Sequence, residues 1–167
     1  MIIAITGPTG SGKTTISRLL CKKFDRCVRV DIDSVKHFIE SGFYYDESVK
    51  GKQQWALLVK NIIDLVKNYQ EAKYTVIIEG YIDIGFPGWS DIFAACEVSH
   101  KFMLLPSIEE NIQRDLKRPK DIQMSENNVR QHQQYFLAQK ESGVFQVIDS
   151  SGESPSDTVE RVYKFFV

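Results

Sequence analysis

Gly7-Pro8-Thr9-Gly10-Ser11-Gly12-Lys13-Thr14 decides how the rest of the chain is read. It fits G-x-x-x-x-G-K-[ST] without mismatch. Average residue usage would produce that pattern by chance in roughly 0.5% of chains this long. The physical demand behind it is that backbone N–H groups converge on a polyanion. Glycines supply the bends and the close approach, because side chains would stand in the way. The flanks agree. Ile2 to Thr6 is a short β-branched apolar run, which reads as a strand buried on both faces. Beyond the glycines, Ile16, Leu19, Leu20 and Phe24 recur at helical spacing, with Arg18, Lys22 and Lys23 on the other face. A helix from Lys13 onward points its positive end at the loop. The unit is predicted to hold ATP through Gly7, Pro8, Thr9, Gly10, Ser11, Gly12, Lys13, Thr14 and Thr15. Lys13 would reach the β- and γ-phosphates, and the Thr14 hydroxyl would ligate Mg²⁺.

Outward from this unit, strands and helices alternate. Cys27 to Ile32, Tyr74 to Ile78, Lys101 to Leu105 and Phe145 to Ile148 read as four further strands. Between them lie a short helix over Ser34 to Glu40 and an amphipathic helix carrying Trp55, Leu58, Val59, Ile62, Val66 and Tyr69 on one stripe. A helix opens at Pro106-Ser107, with Ser107 and Glu110 spaced as a capping box. Another spans Val129 to Lys140, and a last one starts at Ser154-Pro155-Ser156-Asp157. Lys117 to Asn128 is polar without a core-facing period and reads as a mobile loop. Phe86-Pro87-Gly88 is turn chemistry. The alternation predicts an α/β fold of three layers, a five-stranded parallel sheet covered on both faces. Ligands then collect at the carboxyl ends of the strands.

The candidate site residues lie at such ends or in the polar loop. Asp31 and Asp33 end the second strand. Asp31 would hold a magnesium-bound water. Asp33 would accept the proton of an attacking hydroxyl, or cap the helix beginning at Ser34, or both. Glu79 ends the third strand and has three readings: outer-shell magnesium ligand, substrate contact or turn acid. Arg114 and Arg118 are spaced i, i+4 at the edge of the polar loop. They would neutralise charge on a transferring phosphoryl group, or simply form a solvated basic helix end. Arg130 is a weaker candidate for the same contact. Phe43, Tyr44, Tyr45 and Trp55 would form an acceptor pocket, although Trp55 sits on the helical stripe and reads first as core. His37, His100 and His132 show no ligand spacing and read as surface or satisfied polar residues.

Composition sets the limits. The 167 residues suit a single domain, 43% hydrophobic and 26% charged. The formal net charge of −1 argues against long nucleic acid as partner. No apolar stretch approaches a membrane span. Cys21, Cys27 and Cys96 lack metal or redox spacing and read as free thiols of a cytoplasmic protein. No N-K-x-D motif is present, which disfavours a GTPase switch.

Taken together, GPTGSGKT (7–14), VDIDSVK (30–36), VIIEG (76–80), the Arg114/Arg118 pair and FQVIDSSGESPSDTVERV (145–162) resemble the small-molecule kinase branch of the P-loop NTPases. The chain is similar to the shikimate and gluconate kinases, the chloramphenicol phosphotransferases and the zeta-toxin and polynucleotide-kinase group. The resemblance implies strand order 2-3-1-4-5, a substrate-binding region over about 33–73, and an arginine-bearing lid over about 114–128. It implies Mg²⁺-dependent transfer of the γ-phosphoryl of ATP to a hydroxyl of a small-molecule acceptor, with Lys13, Asp33, Arg114 and Arg118 catalytic. Lys36, Tyr44, Tyr45 and Glu79 are the candidate acceptor contacts. Two departures stand out. Several relatives carry arginine where this chain has Lys36, and lysine cannot make the same bidentate clamp. The GFPG at 85–88 lacks the arginine of an adenylate-kinase-type signature. The alternatives are an ATP-binding regulator or slow ATPase, and a polynucleotide 5′-hydroxyl or toxin-type kinase.

Overall fold

The computed structural model describes residues 1–86 and 88–167. Strands β1 (Ile2–Thr6), β2 (Cys27–Asp31), β3 (Thr75–Glu79), β4 (His100–Leu104) and β5 (Gln146–Ile148) form one sheet in the order β2-β3-β1-β4-β5. Every pairing is parallel. The order is the expected one. β1 sits at the centre, and its alternation divides the core. Ile2 and Ala4 face one apolar cluster, while Ile3 and Ile5 face the other. β3 and β4 follow the same rule, with Ile78 and Met103 on the first face and Ile77 and Phe102 on the second. All of these side chains are buried, and each of the large ones contributes roughly 1.5–3 kcal/mol.

The first face is covered by α3 (Val49–Glu71), α4 (Trp89–Ala95) and α6 (Glu126–Lys140), which supply Leu58, Ile62, Val66, Trp89, Ile92 and Phe136. The second is covered by α1 (Lys13–Cys21) and α7 (Pro155–Tyr163), through Ile16, Leu20, Val159 and Val162. α2 (Ile32–Lys36) and α5 (Ile108–Leu116) stand at the carboxyl end of the sheet, where β2 and β4 hand over. α7 begins as the sequence predicts. Ser154 Oγ accepts from the Asp157 N–H at 3.2 Å, and Pro155 occupies the first turn.

Two local expectations are corrected, and one element is added. α4 was not legible, because its seven residues are too few to show a period. The capping box at Ser107 forms only in part. Ser107 Oγ accepts from the Glu110 N–H, but the Glu110 carboxylate turns to Arg114 Nε at 2.9 Å instead of reaching back. The segment 117–128 is a structured connection. It holds a 3₁₀ turn (Lys120–Ile122), and α6 starts at Glu126, capped by Ser125. Buried Asp115 organises it by accepting from the Met124 N–H at 2.8 Å and from Arg118 at 2.9 Å. Gln123 Nε2 donates to the carbonyls of Leu116 and Arg118. The turn expected at 86–88 contains Pro87, which lies outside the described residues. No helix among the described residues is long and apolar enough to cross a membrane, and the three cysteines are unpaired.

Candidate active site

β1 delivers the chain into the glycine loop, and packing holds the loop there. Gly7 has φ +148°, and a Cβ on it would lie 2.2 Å from the Leu104 carbonyl oxygen of the neighbouring strand. Gly10 has φ +81°, and a Cβ there would meet the Asn111 carbonyl of α5 at 2.6 Å. Both positions therefore demand glycine for conformation and for room. α1 then starts at Lys13, with Gly12 left-handed at its N-cap. Lys13 Nζ donates to the carbonyls of Gly7 at 2.9 Å and Pro8 at 3.0 Å. Burial pushes the Lys13 pKa down to about 8, although the nearby Glu79 and Asp33 charges pull the other way. Arg118 is close enough to add to the lowering.

A cleft of about 1280 Å³ opens over this loop. A single small-molecule pocket holds roughly 300–1,000 Å³, so the cleft has room for a nucleotide and an acceptor together. Thr9 to Thr15 line it, as do Asp31, Asp33, Glu79, Arg114 and Arg118. Gly7 and Pro8 lie buried beneath. Arg114 crosses from α5 to the loop. Its guanidinium donates to the Ser150 carbonyl at 2.9 Å, to Ser150 Oγ at 3.3 Å and to the Ser11 carbonyl at 3.5 Å. Arg118 is anchored by Asp115 and leans towards Lys13. Arg130 is the exception. It pairs with Glu126 on the exposed face of α6 and does not line the cleft.

The acids sort differently from the expectation. Asp31, not Asp33, caps the short helix, accepting from the Ser34 N–H at 3.2 Å. The helix begins two residues early because β2 runs straight into it. That leaves Asp33 exposed on the cleft wall, near enough to Lys13 to influence it. Glu79 is 2% exposed and accepts from Thr14 Oγ1 at 3.0 Å. Burial raises its pKa, and the Asp31 charge adds to the rise against the pull of Thr14, Lys13 and Arg29.

Arg29 was missed by the sequence reading. From the middle of β2 its Nη1 donates to Asp31 Oδ2 at 3.0 Å and also to Glu79 Oε1. It thereby counters the desolvation of two acids that would otherwise repel each other. Asp31 ends with its pKa lowered: burial opposes ionisation, but bonds from Arg29 and Ser34 outweigh it. No motif signals Arg29. Only the register Asp31 beside Glu79, a consequence of pairing β2 with β3, brings the three groups together. His132 is a second addition. Its Nδ1 is hydrogen-bonded to Thr9 Oγ1 at 2.8 Å, and its ring rests against Tyr81. It is a satisfied polar residue, as expected, but one seated on the phosphate loop. Burial first and Lys13 second hold its pKa low.

The aromatic segment forms the far wall. Tyr45 packs on Phe43, and Lys36 Nζ lies over both rings at 4.9 and 5.3 Å. Lys50 sits over Tyr44. Trp55 packs edge-to-face on Phe86 and Trp89, so it is half core and half cleft wall.

A divalent cation fits the oxygens present. Among the described residues no three acids, histidines or cysteines converge as a closed metal cage. Mg²⁺ does not need one, since it takes one or two protein oxygens and completes its shell with water and phosphate. The Thr14 hydroxyl touching the Glu79 carboxylate is a donor set of that kind. The loop also retains an orphan, because buried Ser11 Oγ has no hydrogen-bond partner among the described residues.

No protein-family profile matches the sequence, and no curated protein matches it. Solved structures do. The tunicamycin resistance protein of Deinococcus radiodurans superposes with a TM-score of 0.71 at 19% identity, over 99% of this chain and 94% of that one. Shikimate kinase from Acinetobacter baumannii, in complex with shikimate, gives 0.68 at 17% identity, over 99% and 92%. A chain of the Pnkp1/Rnl/Hen1 RNA repair complex gives 0.64 at 21% identity, over 87% of this chain and 46% of that one. With the sheet order 2-3-1-4-5 and helices on both faces, these likenesses establish the fold as that of the P-loop kinases.

Proposed function

We propose that the chain is an ATP-dependent phosphotransferase that moves the γ-phosphoryl group to a hydroxyl of a small-molecule acceptor. One observation carries the reading. Lys13, Arg114 and Arg118 line the same cleft as Asp33, with room beyond it for a second substrate.

The acceptor oxygen attacks the γ-phosphorus and the bond from that phosphorus to the β-phosphate oxygen breaks. The products are a phosphomonoester and ADP. The hydroxyl proton passes to the Asp33 carboxylate, whose main work is to orient the oxygen. Lys13 and the loop N–H groups hold the polyanion, and Arg114 and Arg118 counter the charge that spreads over the transferring group. A bound Mg²⁺, held by Thr14 and through water by Glu79, would supply further charge neutralisation. Arg29 favours the ionised forms of Glu79 and Asp31 side by side, against the burial that raises the Glu79 pKa. The acceptor is taken to occupy the region 33–73, with Lys36, Tyr44 and Tyr45 as its nearest side chains.

The test incubates pure protein with γ-labelled ATP, Mg²⁺ and a pooled metabolite extract, beside Lys13→Ala and Asp33→Asn. Label in a new small molecule, absent from both variants, is the expected result. Label released only as free phosphate, with Asp33→Asn matching the parent, would leave a slow ATPase or regulator instead.

A further inference from the structure

Charge is spread unevenly along the cleft: on the phosphate side the cations are matched by Asp31, Glu79, Glu110 and Glu153, and beyond it acids outnumber cations among the lining side chains. Four of its five lining cations, Lys13, Arg114, Lys117 and Arg118, stand on the phosphate side. Beyond Asp33 the only lining cation among the described residues is Lys36. Four carboxylates line the cleft there, Asp33, Asp46, Glu47 and Asp83, with Glu47 3.9 Å from Lys52 and with Lys50 over the Tyr44 ring. Lys36 is itself engaged over the Phe43 and Tyr45 rings, and Arg29 is turned away onto Asp31 and Glu79. An anionic acceptor would therefore meet more acids than cations among the lining side chains, without an arginine to clamp it.

The same wall is aromatic. Phe38 is 75% exposed and Tyr45 77%, beside the half-buried Phe43 and Trp55, with Tyr44 and Phe86 partly open. Exposed rings gathered at one cleft offer flat apolar faces, and a flat ring or a cation is what such faces hold best.

Building on the phosphotransfer reading, we infer that the acceptor is an aromatic hydroxyl compound that carries no negative charge, whether neutral or cationic. Its ring lies among Phe43, Tyr45 and Trp55, and its hydroxyl points to Asp33. The charge pattern acts as selection against phosphorylated, carboxylated and polynucleotide acceptors, by repulsion more than by any dedicated contact.

The test uses four matched probes: 4-(hydroxymethyl)benzamide, 4-(aminomethyl)benzyl alcohol, 4-(hydroxymethyl)benzoate and the cyclohexane analogue of the benzamide. Binding is read from the fluorescence of the two tryptophans, Trp55 and Trp89, which both line the cleft. Saturating ADP and Mg²⁺ close the phosphate side to the probes. The amide and the amine should bind roughly tenfold or more tighter than the benzoate, and tighter than the cyclohexane compound. Tyr45→Ala and Phe43→Ala, at exposed or half-exposed positions where folding is not at risk, should each weaken the benzamide several-fold and leave ADP affinity unchanged. The inference is overturned if the benzoate binds as well as the amide, if the saturated compound matches the aromatic one, or if no aromatic probe binds at millimolar concentration. Transfer of label is followed in parallel with γ-labelled ATP. Probe binding in the expected order without transfer would count against the phosphotransfer reading and leave the wall's preference for uncharged or cationic aromatic ligands standing.

Discussion

The two halves of the cleft are built by different physics. The phosphate side is backbone. Its glycines are wedged against Leu104 and Asn111, Ser11 is 1% exposed, and the proposed polyanion would be met by N–H groups at a helix start. The acceptor side is side chain. It hangs from a long connection between α2 and α3 that places Phe43, Tyr44 and Tyr45 by ring contacts and by hydrogen bonds such as that from the Tyr44 N–H to Gln54 Oε1. A backbone cradle tolerates few sequences and so leaves a signature. A side-chain wall tolerates many and leaves none. Asp33 and Glu79 stand at the seam between the halves, where the proposed chemistry would be joined.

The strongest way to break this division is to remove one group from each half. Asp33→Asn should lower kcat roughly 10²–10⁴-fold while ADP affinity stays at the parental value. Lys13→Ala should lower transfer roughly 10²–10³-fold and weaken ADP as well. Steady-state kinetics with calorimetry of ADP binding separate the two, and a loss of ADP affinity in Asp33→Asn would erase the division.

Next in size is the seam. Arg29→Met leaves buried Glu79 and its neighbour Asp31 without their cation. It should destabilise the fold by about 3 kcal/mol in urea unfolding. If the loss is below about 0.5 kcal/mol, water already serves both acids and Arg29 is dispensable to the site.

The pH dependence of ADP binding sharpens the phosphate side. Lys13 has a pKa near 8 before phosphate arrives, and phosphate favours its charged form. The free and bound states are both protonated below about pH 8, so affinity there is flat with respect to this group. As pH rises through 8 the free lysine deprotonates, and affinity should fall by at most about tenfold per pH unit. Lys13→Arg, which stays charged, should abolish the fall. The smallest effect is expected at Arg130, outside both halves. Arg130→Ala should change transfer less than twofold and stability by no more than about 0.5 kcal/mol, since exposed i, i+4 pairs contribute little. A larger loss of transfer would move the boundary of the site onto α6.

Where the sequence reading went astray, the reason is local in each case. The cap at Asp31 was misplaced by two residues because either aspartate satisfies the capping pattern, and only the uninterrupted passage from β2 into α2 chooses between them. α4 has one turn of buried residues, Trp89 and Ile92, which shows no period in a string of letters. His132 is 123 residues from Thr9, and no spacing rule reaches that far. Arg29 lies mid-strand, where an arginine is read as a solvent-facing residue unless the register of the neighbouring strand is known.

The sequence by itself determined the phosphate loop, the alternation of strands and helices, and the parallel sheet, because each depends on short-range rules of backbone conformation and period. Tertiary structure alone decided which polar groups meet: Arg29 with Glu79, Arg114 with Ser150, and His132 with Thr9. Such pairings join residues far apart in the chain. Their energies depend on distance and burial, and neither exists until the sheet is assembled.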